Sequence, residues 1–147
     1  MRLNLQTDFA LRALMHLAVN TDRRVTIAEI SDTFGISRNH LMKVALALSH
    51  EGFIATERGR AGGLSLARAA SDIQVGDVVR RMEGNAALVE CFPGGAGGCR
   101  ISPTCRLRGA LAGALEAFFT SLDSWSIADL VQGNAPLHDM LGARAAA

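Results

Sequence analysis

The chain has 147 residues, of which 49% are apolar, and its formal net charge at pH 7 is +1. This length predicts one domain with a real core, and the near-neutral charge argues against a whole-chain attraction to nucleic acid, so any basic footprint must be local. No apolar run approaches the roughly 18 residues of a membrane span, and the first residues lack the apolar core of a signal peptide. We therefore expect a cytoplasmic protein with no membrane partner.

The first two helices are predicted from apolar periodicity and capping residues. Residues 8–19 carry apolar side chains at helical spacing, and Thr7 is the predicted N-cap of this helix. After a polar break, Thr26 and Glu29 have the spacing of a capping box, in which each side chain satisfies a backbone N–H at a helix start. A second helix is predicted from there to about Phe34.

A glycine corner joins the second predicted helix to a third. Gly35 lies where a helix C-cap needs a left-handed residue, and Ser37 can cap the helix that follows. The small Ser31 permits a close crossing of the two helices. Five apolar residues fall where a helix-turn-helix buries side chains between its helices: Ile30, Phe34, Ile36, Leu41 and Val44.

The other face of the third helix carries the predicted base-reading residues, Arg38, Asn39, His40 and Lys43. These side chains suit contacts to guanine, adenine and phosphate in a major groove. The alternative is that any one of these residues belongs to an ordinary solvent-exposed helix face and does not contact DNA.

Two short strands, 53–56 and 64–66, are predicted after this helix and form a wing with a glycine-rich tip. Arg58 and Arg60 lie in that tip, where they can enter a minor groove or follow phosphates. The alternative is a hairpin whose glycines serve only the turn. The sequence up to this point predicts a mainly α, winged helix-turn-helix fold with a two-stranded wing.

A fourth helix, 72–84, precedes a loop that holds all three cysteines of the chain, Cys91, Cys99 and Cys105. An odd number of cysteines counts against a disulfide framework. The loop is rich in proline and glycine and cannot build a core of its own, as expected if metal bonds order it. Three thiolates leave one position open on a tetrahedral zinc or on a cubane iron–sulfur cluster.

The spacing alone does not select a fourth ligand. Histidines at four positions are expected to be surface or capping residues rather than ligands. The candidates are Asp8, Glu90, His16, His40, His50 and His138.

The C-terminal part is predicted to contain an amphipathic helix from about Leu107 and a short helix over Ile127–Val131. The remaining tail is expected to be partly disordered. The predicted organisation is a DNA-binding domain, a cysteine loop, a helical segment and a tail, with the bounds 1–84, 85–106, 107–131 and 132–147.

The chain resembles the Rrf2 family of winged-helix iron–sulfur regulators over nearly its whole length. The motifs that carry the resemblance are Asp8 to Arg12, Arg58-Gly59 through Gly63, Glu90-Cys91, Cys99, Cys105 to Leu107, and Ala128 to Leu130. The resemblance implies a homodimer in which the long C-terminal helix is the dimerisation helix. It also implies that Asp8 of the partner subunit is the fourth ligand, beside Cys91, Cys99 and Cys105.

The resemblance further implies the cofactor and the signal. Cluster-assembly regulators of the family carry a histidine three residues after the third cysteine, where this chain has Arg108. This difference favours a [4Fe-4S] cluster over a [2Fe-2S] cluster. The expected function is a transcription regulator, a repressor of double-stranded DNA operators that senses nitric oxide and has no enzymatic activity.

Three other functions remain open: a regulator of the same fold that senses iron status or redox state through the cluster, a zinc- or thiol-based redox switch, and an enzyme with a cysteine nucleophile. The last is disfavoured because the cysteines lie on a loop without a neighbouring His and carboxylate pattern.

Overall fold

The computed structural model describes residues 2–142 of the chain. It is mainly helical with one two-stranded antiparallel sheet, which confirms the predicted winged helix-turn-helix fold. Short 3-10 turns precede α4 and α5. The elements run in the order α1 (Leu5–Val19), α2 (Ile27–Phe34), α3 (Arg38–His50), β1 (Ile54–Glu57), β2 (Gly63–Leu66), α4 (Val75–Glu83), α5 (Arg106–Asp123), α6 (Ile127–Val131) and α7 (Ala135–Leu141).

Helix α1 begins earlier than predicted, and the prediction of Thr7 as its N-cap is wrong. Asn4 is the N-cap, and its Oδ1 accepts a 2.7 Å hydrogen bond from the backbone N–H of Thr7. Thr7 itself is buried, and its hydroxyl lies within hydrogen-bond distance of Asn4 and of the carboxylate of Glu83. The Thr7 hydroxyl therefore links the N-cap of α1 to the end of α4 instead of capping the helix itself.

The helix-turn-helix corner forms as its residues predict. The capping box is complete, because the Glu29 N–H donates to the Thr26 hydroxyl at 3.2 Å while the Thr26 N–H donates to the Glu29 carboxylate at 2.8 Å. Gly35 has φ of +65°, a left-handed conformation that favours glycine. The Ser31 hydroxyl donates to the Ile36 carbonyl at 2.7 Å, which ties α2 to the turn.

Strand β1 lies one residue later than predicted, whereas β2 begins one residue earlier and ends as predicted. β1 and β2 pair antiparallel, with Glu57 opposite Gly63 at the tip. An isolated bridge extends the sheet, since Val25 and Leu64 exchange backbone hydrogen bonds of 2.9 and 2.8 Å. Phe53 belongs to the core rather than to the strand, and its side chain is fully buried.

The core surrounds α1, which packs against α3, α4 and α6. The segments that precede α4 and α6 pair through an antiparallel bridge. The Val75 N–H donates to the Trp125 carbonyl at 2.8 Å, and the Ile127 N–H donates to the Ile73 carbonyl at 2.9 Å. The fourth helix is shorter than predicted because residues 70–72 form a 3-10 turn. The largest fully buried side chains include Leu14, Leu17, Ile30, Leu41, Leu48, Phe53, Ile73 and Ile127.

The tail expected at 132–147 contains helix α7, which the sequence analysis did not predict. The Asn20 side chain donates to the Leu141 carbonyl at 2.8 Å, and the Leu141 side chain is buried. These contacts hold α7 against α1. The expectation of disorder therefore does not apply to 135–141, and residues 143–147 lie outside the described part of the chain.

His16 is buried, so its expected place on the surface or at a cap is wrong. Only 3% of the residue is exposed, and its ring lies edge-on to the ring of Phe34 at 6.0 Å between centroids. Its Nδ1 has no hydrogen-bond partner among the described residues. Desolvation lowers the pKa of His16, and Glu29 and Arg23 have smaller, opposing effects.

This burial predicts a loss of stability in mild acid. Because the pKa of His16 is lower in the folded state than the unfolded value of about 6.5, the unfolded chain binds the proton more tightly. Above pH 6.5 we expect no loss of stability from His16. As the pH is lowered through 6.5, we expect the free energy of unfolding to decrease, by up to about 1.4 kcal/mol for each unit by which folding lowers the pKa of His16.

Denaturant titrations at pH 7.5 and 5.5 measure this effect on the wild type, His16→Gln and the control His50→Gln. The side chain of His50 is 84% exposed. We expect the pH-dependent difference to shrink in His16→Gln and to persist in the control. Equal pH dependence in all three proteins would contradict a role for His16.

Candidate nucleic-acid interface and cysteine loop

The predicted base-reading residues occupy the exposed face of α3. The opposite face of this helix is buried in the core through Leu41, Val44 and Leu48. Because α3 begins at Arg38, these residues lie in its first two turns, where recognition helices make their base contacts. The side chains that share the exposed face are Arg38, Asn39, His40 and Lys43. Their contact with DNA stays a prediction.

The wing presents its two arginines on a tight turn. Arg58 and Arg60 are exposed between β1 and β2. Gly59 has φ of +105°, and a Cβ placed on Gly62 would lie 2.4 Å from the carbonyl oxygen of Glu57. Both positions therefore require glycine, which keeps the tip thin enough for a groove.

Residues 37–60, which carry the predicted DNA contacts, form the predicted footprint. Two arginines outside this segment pair with its acidic residues, Glu51 and Glu57. Arg24 forms an ion pair with Glu57, and Arg81 contacts Glu51 at 3.0 Å. Hydrogen bonding from Arg81 lowers the pKa of the Glu51 carboxyl. The sequence analysis missed Arg24, because this residue reaches the wing only through the bridge at Val25. Within the described part of the chain, no salt bridge involves the basic residues of the footprint, Arg38, Lys43, Arg58 and Arg60.

The three cysteines lie between α4 and α5. Cys91 and Cys99 are in irregular backbone, and Cys105 directly precedes α5. All three are half-buried and free of disulfides. Among residues 2–142, no group of three or more His, Cys, Asp or Glu side chains has an arrangement that could hold a metal ion. The predicted ligand set remains a prediction.

Glu83 joins the start of this loop to the start of α1. Its carboxylate accepts from the Asn4 N–H at 3.0 Å and from the Thr7 hydroxyl at 2.5 Å. The Asn4 side chain also donates to the Met82 carbonyl at 3.2 Å. This connection spans almost eighty residues of sequence, so no local pattern could have found it. It fixes the end of α4, and thus the entry to the cysteine loop, against the turn that carries Asp8.

Asp8 lies in the first turn of α1 and is paired with Arg12. The two side chains form an i,i+4 ion pair at 2.7 Å, and each is 41% exposed. The Arg12 guanidinium lies 6.0 Å from the centre of the Phe34 ring, beside the helix-turn-helix corner. The ring of the next residue, Phe9, lies 6.2 Å from the ring of His40 on α3, measured between the ring centroids. The segment around Asp8 thus contacts both helices of the DNA-reading unit.

Helix α5 leaves apolar side chains uncovered. None of its 18 residues is buried, although leucine and phenylalanine recur along one face. Leu107 is 64% exposed, whereas Phe118 and Phe119 pack at the edge of the core. The apolar side chains of α5 therefore stay partly or fully exposed in one chain, as is typical of a surface that a partner covers.

The comparisons with known proteins agree with this geometry. The family described as Rrf2, iron-dependent transcriptional regulator, matches residues 3–133. The chain belongs to the Rrf2 family. Among solved structures, T. potens IscR is 23% identical with a TM-score of 0.72, and the alignment covers 90% of this chain and 87% of that one.

Two further Rrf2-like structures are similar to the chain. Oxidised Staphylococcus aureus CymR is 21% identical with a TM-score of 0.72, over 90% of this chain and 97% of that one. B. subtilis CymR, described as the global cysteine regulator, is 22% identical with a TM-score of 0.69, over 89% and 96%. At these identities the structures establish the fold.

Rrf2 membership makes this protein a DNA-binding transcription regulator of a usually dimeric family. Family members are regulators, which agrees with the expectation of no enzymatic activity. Within residues 2–142, no helix is both long enough and apolar enough to cross a membrane.

Proposed function

We propose that this Rrf2 regulator is a homodimeric repressor that senses nitric oxide through an iron–sulfur cluster, most like the nitric-oxide-sensitive repressor NsrR. The observation that carries the proposal is the set of three free, half-buried thiols on a loop whose entry is fixed to α1 of the winged helix. Three soft thiolates suit iron–sulfur clusters and zinc better than hard cations.

The proposed ligands are Cys91, Cys99, Cys105 and Asp8 of the partner subunit. Two facts fit a ligand from the second subunit: the described residues of one chain hold no complete metal-ligand group, and Asp8 is accessible at the surface. Its ion pair with Arg12 is exposed and is worth only a fraction of a kcal/mol, so the carboxylate can be released for coordination. The cluster is proposed to be [4Fe-4S] rather than [2Fe-2S], since Arg108 stands where cluster-assembly regulators carry a histidine.

Dimerisation is proposed to use the uncovered apolar face of α5. Pairing two copies of this helix would bury Leu107 and its apolar neighbours and would bring the cysteine loop of each subunit towards the other. The two copies of α3 would then have a fixed separation for successive major grooves. Base reading is assigned to Arg38, Asn39, His40 and Lys43, and phosphate or minor-groove contact to Arg58 and Arg60.

The signal is proposed to act through the contacts of α1. When bound, an iron–sulfur cluster would supply the iron with which nitric oxide reacts. The protein's part is to hold Asp8 of one subunit to the loop of the other. Release of Asp8 frees the N-terminal half of α1, whose Arg12 and Phe9 lie beside Phe34 and His40. The two copies of α3 are then no longer held at a fixed separation, and the operator is released.

The test is anaerobic purification followed by visible absorption and DNA binding, before and after addition of nitric oxide. An operator is first selected from a random duplex pool, and binding is measured at one fixed salt concentration because affinity depends steeply on salt. We expect visible absorption that nitric oxide bleaches and an affinity that drops at least tenfold. Iron-containing protein whose DNA binding ignores nitric oxide would contradict the proposed signal and leave iron status or redox state as the alternative.

A thiol-based redox switch is the second candidate. All three thiols are free, no complete metal-ligand group exists among residues 2–142, and the similar S. aureus CymR was solved in an oxidised form. This candidate predicts colourless protein without iron or acid-labile sulfide, whose DNA binding changes with oxidised glutathione. Bound zinc without iron would identify the zinc form of the same switch.

A further inference from the structure

The loop between Cys91 and Cys99 folds back on Glu90. The Glu90 carbonyl accepts a 3.0 Å hydrogen bond from the Gly97 N–H, and the Glu90 carboxylate Oε1 accepts a 3.1 Å bond from the Gly98 N–H. One residue thus binds two successive amides across the loop. Because Cys91 directly follows Glu90 and Cys99 directly follows Gly98, these bonds bring the chain segments of the two cysteines together.

Glycines make this fold possible. A Cβ on Gly95 would lie 2.3 Å from the Glu90 carbonyl oxygen, and a Cβ on Gly94 would lie 2.2 Å from the Asn85 carbonyl oxygen. A Cβ on Gly98 would lie 2.8 Å from Glu90 Oε1. At Gly94 and Gly95 the backbone therefore passes so close to the carbonyls of Asn85 and Glu90 that a side chain is excluded. These glycines serve a specific closed loop rather than general flexibility.

We propose that Glu90 is a positioning residue that closes the loop and holds Cys91 and Cys99 together before any cofactor arrives. Its importance for cluster assembly rests on the proposed function, whereas the closure of the loop does not. Glu90 acts as a hydrogen-bond acceptor for the Gly98 amide, and its negative charge and its capacity to bind metal are not required. A glutamine at this position retains an acceptor oxygen of the same reach, so the conservative substitution keeps the loop closed.

The first experiment measures loop closure without any metal. In the Cys105→Ala background two thiols remain, and they reduce oxidised glutathione: two thiols and one glutathione disulfide give the Cys91–Cys99 disulfide and two molecules of glutathione thiol. The equilibrium constant of this exchange reports how closely the protein holds the two cysteines. Glu90→Ala is expected to lower it about three- to tenfold, as for loss of one hydrogen bond, and Glu90→Gln to leave it within about twofold.

Two further variants make the first experiment decisive. Gly98→Ala keeps Glu90 but displaces its carboxylate, so it is expected to behave like Glu90→Ala. Glu116→Ala removes an exposed carboxylate from α5 outside the loop and is expected to have no effect. An unchanged exchange constant in both Glu90→Ala and Gly98→Ala would overturn the proposal. Thermal unfolding of all variants checks that the winged domain remains folded.

The second experiment measures cluster assembly in the chain with all three cysteines. Iron and acid-labile sulfide per chain are measured after anaerobic reconstitution with ferrous iron and sulfide. Glu90→Ala is expected to load several-fold more slowly, and Glu90→Gln to load like the wild type. Equal loss in both variants would identify Glu90 as a ligand or a charge and overturn the proposal. Wild type that never binds iron would refute the proposed function alone, since the glutathione experiment still measures loop closure.

Discussion

Cys99→Ala is expected to leave anaerobically reconstituted protein without visible absorption and with iron and sulfide at background. In the proposed site each cysteine supplies one of three thiolates, and a cluster held by only two protein thiolates would not be retained. Cys91→Ala and Cys105→Ala are expected to give the same result. A single cysteine variant that loads iron and sulfide like the wild type would contradict the three-thiolate site.

A mixed dimer tests whether Asp8 acts across the subunit interface. One subunit carries Cys99→Ala and the other Asp8→Ala, each with a different affinity tag. If Asp8 is supplied by the partner, one of the two sites combines three intact cysteines with an intact Asp8, and the mixed dimer loads half the iron of wild type. If Asp8 acts within its own chain, neither site is complete. Loading equal to that of the pure Cys99→Ala dimer would therefore refute ligation by the partner.

Removal of both wing arginines is expected to weaken operator and non-specific DNA binding together. Arg58 and Arg60 are exposed on a turn that glycines keep thin, and no salt bridge among the described residues occupies them. Each lost phosphate contact reduces the slope of log affinity against log salt by about one, so the double alanine variant is expected to lose about two. A titration of binding against salt concentration measures this slope.

Two comparison variants separate charge from base reading. Replacement of both wing arginines by lysine keeps the charge, so the slope is expected to return while groove-specific affinity does not. Arg38→Ala on α3 is expected to cost about 1–3 kcal/mol on the operator and to relax specificity at one base position. Equal losses on operator and random DNA for Arg38→Ala would mean that it contacts phosphate only.

Local sequence patterns predicted the DNA-reading half well. The capping box at Thr26 and Glu29 and the left-handed Gly35 depend on residues within a few positions of one another, so periodicity and turn chemistry suffice to find them. The same holds for α6, whose predicted bounds match the observed ones. The wing strands differ from the predicted ones by one residue at three of their four ends, because strand ends depend on the pairing partner, and Val25 adds a bridge that no strand pattern shows.

The cysteine loop was found from composition, but its shape was not. Three thiols in a loop rich in proline and glycine predict a metal or redox site, because residue type alone sets that chemistry. The closure of the loop on Glu90 depends on one carboxylate meeting an amide eight residues away in irregular backbone. Irregular backbone has no period, so such a contact leaves no pattern in the sequence.

By itself, the sequence determined the elements of the DNA-reading half and the chemistry of the chain: a glycine-cornered helix pair, a basic wing and three thiols. Only the tertiary structure decided how these parts are joined. Glu83 reaches α1, Arg24 pairs with Glu57 of the wing, and His16 and α7 are packed into the body of the fold. The physical reason is range: caps, turns and periodicity act over a few residues, whereas burial and side-chain pairing join residues that the chain keeps far apart.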